Sequence, residues 1–236
     1  VATVVLLRHA RSTANGAGRL AGRSPGIELD ETGLKQADAL VARLADVPVA
    51  EIVCSPLLRC EMTVAPLAAA RGLAPVTEPG LSEVDYGEWT NRELKDLGKE
   101  KLWSVVQQHP SAAVFPGGEG LASVQTRAVA AVRAHDARIT AAHGNEAVWL
   151  LCSHGDVLKS ILADALGQHL DSFQRIVVNP ASVSVVQYTE TRPFVLRMND
   201  NGGELASIVP PKPKPAEPDG TRPGDAVVGG DAGRTT

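Results

Sequence analysis

Aromatic side chains are scarce in this chain of 236 residues, which holds three Trp, two Tyr and three Phe. Charge of one sign is not in excess either, since 23 Lys and Arg stand against 27 Asp and Glu. Recognition of nucleic acid calls for a basic face and usually for aromatics on which bases stack, so no nucleic-acid partner is expected. A membrane-spanning helix needs about 18 or more consecutive apolar residues. No such run occurs, and no membrane partner is expected. Cysteine is rare: Cys54, Cys60 and Cys152 form no C-x-x-C pair and leave one over in any pairing, which points to buried thiols rather than to a disulfide framework or a zinc site. No internal repeat is visible, which sets aside solenoids and propellers. No basic segment with an apolar stretch and a small-residue cleavage site precedes the strand-like run Val1 to Leu7, and a cytoplasmic location is expected.

What is present describes a globular protein. With 44% hydrophobic and 21% charged residues, a chain of this length can bury a sizeable core. The composition changes at Pro210. Residues 210–236 hold six prolines and five glycines and few bulky apolar side chains. Such a tail cannot bury enough surface to offset its ordering entropy. It is expected to be disordered, locally extended at Pro210 to Pro215, and dispensable for stability and activity. Residues 1–209 are left to carry the function.

Within them, short β-branched runs at Val4 to Leu7, Glu51 to Cys54 and Ala147 to Cys152 read as central strands buried on both faces. Helical patterns lie between and after them, at Thr32 to Ala45, Leu57 to Arg71, Arg92 to Gln107, Ala122 to His143 and Val157 to Leu166. Ser182 to Tyr188 and Phe194 to Met198 read as a late hairpin at a sheet edge, where a second subunit of a homo-oligomer could pair. The predicted fold is a single α/β domain of three layers, doubly wound around a mostly parallel sheet.

In such sheets ligands bind beyond the carboxyl ends of the strands. Arg8 and His9 follow the first central strand, His154 follows the third, and Arg59 lies one helical turn past the second. The convergence describes an anion pocket containing an imidazole. Guanidinium forks match phosphate oxygens at fixed geometry, which makes phosphate the natural anion. A neutral His9 could attack phosphorus and form a phosphohistidine, while Arg8, Arg59 and His154 spread positive charge over the equatorial oxygens. The leaving oxygen needs a proton, and the run Leu81 to Trp89 offers Glu83 or Asp85 as general acid if its pKa is raised.

These residues fall in five ordered motifs that resemble the histidine phosphatase superfamily, in its phosphoglycerate mutase-like branch. Arg8-His9-Ala10-Arg11-Ser12-Thr13-Ala14-Asn15 is similar to the nucleophile motif, and Ser55-Pro56-Leu57-Leu58-Arg59 with Thr63 to the second-arginine motif. Leu81 to Trp89 resembles the acid loop, and the resemblance places the proton donor on Glu83 rather than Asp85. Pro116-Gly117-Gly118-Glu119 with Arg127, and Cys152-Ser153-His154-Gly155-Asp156, complete the set. The resemblance implies a phosphate site built from Arg8, Asn15, Arg59 and His154. It also implies an enzyme needing no metal or organic cofactor, with a small phosphate ester and inorganic phosphate as ligands.

Three departures stand out. Ala10 replaces the usual glycine after the nucleophile, which threatens the local loop if that position needs positive φ. Arg11, with Arg19 and Arg23, adds positive charge expected near the pocket mouth. Thr90-Asn91 replaces the Glu-Gly that often follows the loop tryptophan. Between Glu83 and Pro116 there is no adjacent arginine pair of the kind that grips substrate in mutases, and Arg92, Lys95 and Lys99 read as a charged helix face. An open pocket that admits water favours hydrolysis over transfer to a second hydroxyl. The alternatives are a phosphohistidine or phosphoprotein phosphatase and, in another class, a catalytically weak phospholigand-binding protein.

Overall fold

Along β1 (Thr3–Arg8), Val4 and Leu6 join one hydrophobic cluster, while Val5 and Leu7 join another. The period-2 alternation of a strand thus divides the core into two faces of one sheet. The computed structural model describes residues 2–203 and 228–229. On the first face, α6 (Leu121–His143) and α7 (Gly155–Ala165) contribute Val124, Val132, Val157 and Ile161. On the second, α2 (Glu31–Arg43) and α3 (Leu58–Arg71) contribute Leu40, Val64 and Leu67. Helices cover both faces, and each fully buried Leu or Val adds about 1.5–3 kcal/mol relative to exposure.

The six-stranded sheet has the order β3-β2-β4-β1-β5-β6, where β2 is Val49–Cys54, β3 Val76–Thr77, β4 Val148–Ser153, β5 Val183–Tyr188 and β6 Pro193–Asp200. The first four in that order run parallel; β5 pairs antiparallel with β1, and β6 with β5. This is the predicted α/β class with its mostly parallel sheet and late edge hairpin. No helix among the described residues is long and apolar enough to cross a membrane.

Two expectations need correction. The single helix predicted over Arg92 to Gln107 is two, α4 (Leu94–Leu97) and α5 (Lys101–Gln108). Residues before α4 are drawn into pairing with a preceding loop: Asn91 N donates to Leu20 O, Leu20 N to Arg92 O at 3.0 Å, and Leu94 N to Gly18 O at 3.0 Å. The second break falls at Gly98, where helix propensity is weak. Arg92, Lys95 and Lys99 pair with Glu100, Glu93 and Asp96, as expected of a charged surface.

The predicted tail lies outside the described residues except at Val228 and Gly229. There the chain is packed rather than solvated, because Val228 is 1% exposed and joins the cluster that holds Leu20 and Tyr86.

Candidate active site

The parallel strands end level with one another. Arg8 on β1 is in register with Ser153 on β4, and Cys54 on β2 with Cys152. His9 N then donates to Ser153 O at 2.9 Å and Ser55 N to Cys152 O at 3.0 Å, which extends the ladder one residue past the strands. His9, Ser55 and His154 therefore leave the sheet at one height. The rings of His9 and His154 lie with centroids 5.2 Å apart, tilted by 57°.

His9 is 2% exposed, and its Nδ1 lies 2.7 Å from Ala10 O. A carbonyl only accepts, so Nδ1 carries the proton and Nε2 keeps its lone pair. Burial, reinforced by the charges of Arg59 and Arg8, holds the imidazole well below the usual histidine pKa, so the ring is neutral near pH 7. Ala10 does not adopt a positive φ, and its N–H donates to Thr63 Oγ1 at 2.9 Å. The missing glycine therefore costs the loop after β1 nothing in backbone strain. Thr63 Oγ1 in turn donates to Arg59 O, so one turn of α3 fastens both the loop and its arginine.

Arg59 is 1% exposed, and its NH2 group donates to Gly22 O at 2.9 Å. Arg8 donates through NH1 to Val178 O at 2.8 Å. His154 is fully buried, with Nε2 2.8 Å from Ser55 Oγ, and burial followed by the charge of Arg59 holds its pKa well below the usual value. Its Nδ1 stands 3.9 Å from Glu83 Oε2, too far for a hydrogen bond. Asn15 is held by a capping box at the short helix α1 (Thr13–Gly16), where its Oδ1 accepts from Ser12 N. The three cysteines are free and buried, with Cys60 Sγ 3.5 Å from His154 Nε2.

The loop from Leu81 to Trp89, which carries Glu83, is shaped by a second loop pressed against it. Glu119 N donates to Asp85 O at 2.8 Å, Asp85 N to Glu119 Oε2 at 3.0 Å, and Glu88 N to Pro116 O at 2.9 Å. A Cβ on Gly118 would stand 2.2 Å from Asp85 O, so only glycine permits this approach. Arg127 clamps the pair, donating to Glu119 and to the carbonyls of Gly80 and Glu83. These contacts turn Asp85 toward Gly87 N and leave the Glu83 side chain inward. Burial, then the nearby Asp156, push the Glu83 carboxyl up to about 7 against the pull of Arg59.

His9, Asn15, Arg59 and Glu83 line one cavity of about 190 Å³, whose wall also includes Arg19, Leu20, Leu94, Val228 and Gly229. Asp85 is not part of it, and neither are Arg8 and His154, expected at the phosphate: both are fully buried, with Arg8 donating to Val178 O and His154 Nε2 beside Ser55 Oγ. Nor are Arg11 and Arg23, contrary to expectation: Arg11 Nε pairs with Asp30 at 3.0 Å, while Arg23 holds Glu119 at 3.0 Å and the Glu83 carbonyl. Asn91, in place of the usual glycine, takes φ 64°, a left-handed conformation that Asn tolerates better than most residues. Sequence reasoning missed the supporting hydroxyls of Ser55 and Tyr86, the latter donating to buried Asp156 Oδ2 at 2.8 Å. It also missed Val228 and Gly229, whose one sequence signal is a pair of adjacent valines in an otherwise small and polar tail.

Comparison with known proteins agrees with this architecture. The sequence profile of the histidine phosphatase superfamily (branch 1) matches residues 4–201. Phosphoserine phosphatase 1 of Hydrogenobacter thermophilus is 31% identical over 199 residues, covering 83% of this chain and 91% of that protein. The probable phosphoglycerate mutase GpmB of Yersinia pestis is 31% identical over 190 residues, covering 80% and 86% respectively. Among solved structures, Bacillus stearothermophilus YhfR superposes with a TM-score of 0.77 at 25% identity, over 85% of this chain and 98% of that one. The mycobacterial glucosyl-3-phosphoglycerate phosphatase, at 22% identity and a TM-score of 0.73, covers 84% of this chain and 98% of its own and shares the fold. The histidine-bearing strand ends, the clamped loop that carries Glu83 and the profile that spans them together make this chain a member of the histidine phosphatase superfamily, branch 1.

Proposed function

We propose that the protein hydrolyses a small phosphomonoester through a phosphohistidine on His9. The observation that carries this reading is the pairing, in one cavity, of an imidazole kept neutral with a carboxyl whose pKa is raised to about 7. Nucleophile and acid begin in the protonation states that phosphoryl transfer needs.

His9 Nε2 attacks phosphorus, the ester P–O bond breaks, and the Glu83 proton passes to the leaving oxygen. The Ala10 carbonyl, already accepting from Nδ1–H, offsets the positive charge that grows on the ring. Arg59, which lines the cavity, meets the equatorial oxygens, while the buried Arg8 adds positive charge from beside His9 and His154 packs against the His9 ring. Water then attacks phosphorus and gives a proton to the Glu83 carboxylate, and the N–P bond breaks to release phosphate and free His9. The relatives named phosphatases support hydrolysis. A cavity of about 190 Å³ is smaller than the roughly 300–1,000 Å³ of pockets for drug-sized ligands, which favours a compact metabolite over a phosphopeptide. Between Glu83 and Pro116 the chain offers no arginine pair to hold a mutase substrate.

The test is trapping with a labelled small ester, quenched in alkaline detergent: base-stable label on His9, lost on later acid treatment, is expected together with net release of phosphate. Turnover without trapped label, under conditions where breakdown is slowed, would overturn the covalent route. Binding without any turnover would make the protein a phospholigand binder.

Arg59→Ala is expected to lose on the order of 10²-fold or more in kcat/KM, the scale of losing one preorganised charge contact. Inhibition by phosphate and vanadate should weaken with it. Unchanged inhibition by either anion would place the Arg59 guanidinium outside the anion site.

A further inference from the structure

Two residues of the C-terminal segment reach the wall of the active-site cavity. Val228 lies beside Leu20 in the hydrophobic cluster, and both it and Gly229 line the same space as His9 and Glu83. The main chain of Gly229 is fastened through both its N–H and its carbonyl. The N–H donates to Asp156 Oδ2 at 2.8 Å, and the carbonyl accepts from Arg8 NH2 at 3.4 Å. Arg8 adjoins His9, and Asp156 follows His154 by two positions. The segment therefore bridges the two loops that carry the histidines.

Position 229 also asks for glycine. Its φ is +78°, which L side chains rarely adopt, and a Cβ there would stand 2.8 Å from Leu20 Cδ1, a side chain only 3% exposed. Asp156 is itself fully buried, and its Oδ2 already accepts from Tyr86. A buried carboxylate oxygen gains from a second donor, and here the donor comes from Gly229.

We propose that Val228 and Gly229 form a built-in wall of the cavity that selects compact phosphomonoesters against bulky ones. This rests on the hydrolase reading above and adds to it a determinant of substrate size. The anion end of the cavity is set by His9 and Arg59. The leaving group must then fit beside Leu20, Leu94 and Val228, an apolar rim that the segment narrows.

The experiment compares the unaltered chain with Gly229→Val and Val228→Ala, each checked by thermal unfolding. Glycerol 3-phosphate serves as the compact ester and 1-naphthyl phosphate as the bulky one. The ratio of kcat/KM, compact over bulky, should fall about tenfold or more in Gly229→Val, mainly through KM, and several-fold in Val228→Ala. Should Gly229→Val fail to fold, Val228→Ala alone decides. An unchanged ratio overturns the proposal. So does an equal rise in activity on both esters, which would mark the segment as a plug. Kd values for ethylphosphonate and 1-naphthylmethylphosphonate, read by calorimetry, should shift in the same direction. This binding arm tests the wall even if the unaltered chain hydrolyses neither ester, a result that would sink the hydrolase reading alone.

Discussion

His9→Ala should abolish turnover, by roughly 10⁴-fold or more, the scale of loss when a catalytic nucleophile is removed. No other described side chain lining the cavity offers a neutral nitrogen with a free lone pair: His154 is not in its wall, and the remaining nitrogens there belong to guanidinium groups, an amide and the backbone. The fold should survive. His9 caps a strand end and, among the described residues, its side chain hydrogen-bonds to Ala10 O, so the substitution removes one buried hydrogen bond, of about 1–3 kcal/mol. The backbone link from His9 N to Ser153 O remains. Turnover of p-nitrophenyl phosphate is measured alongside the thermal unfolding midpoint. Activity within a factor of about ten of the unaltered protein would sink the nucleophile assignment, provided the midpoint shows a folded chain.

The second large effect is expected at Glu83 and depends on which ester is offered. With its pKa raised to about 7, Glu83 is protonated below that pH and ionised above it. As an acid it is active when protonated, so kcat/KM for an alkyl phosphate should fall about tenfold per pH unit above 7. A bound phosphate dianion adds negative charge and moves the corresponding fall in kcat to higher pH. The acid-side limb belongs to His9, whose pKa lies well below the usual histidine value, and so should appear only in distinctly acidic solution. Glu83→Gln keeps the shape and removes the proton to be donated. Alkyl phosphate turnover should drop by roughly 10²–10⁴-fold, the usual worth of general acid catalysis. p-Nitrophenyl phosphate, whose leaving group needs little protonation, should lose far less. Above about pH 7 both esters are largely dianions, so in that range the ratio of the two rates isolates Glu83. Equal losses on both substrates would remove Glu83 from the acid role.

The legible parts of the sequence were those dictated by local pattern. β1, β2 and β4 showed as β-branched runs because strands buried on both faces admit little else. Arg8, His9, Arg59 and His154 were visible because a parallel sheet delivers the residues beyond its strand ends to one edge. Asp85 and Glu83 could not be separated by their residue types alone. The distinction comes from Gly118, Glu119 and Arg127 more than thirty residues away, which take Asp85 and leave Glu83 to the cavity. The helix over Arg92 to Gln107 failed for a similar reason, since Leu94 N and Arg92 O are claimed by Gly18 and Leu20. Val228 and Gly229 were hidden because composition is averaged over a segment, while docking needs only one apolar side chain and one fastened backbone residue.

The order of strands across the sheet has a consequence for how the protein is made. β1 sits between β4 and β5, and its first residue pairs with Val148 and Gln187. A ribosome adding roughly 5–20 residues per second leaves this apolar strand without either neighbour for on the order of 10 s. Until then both edges of Val4 to Leu7 lack their native neighbours, although α2, α3 and α6, all synthesised before β4, supply cover for its two faces. His9, at its end, cannot reach its observed position until Ser153 and His154 have been added. That wait follows from strand order and not from the stability of the finished fold.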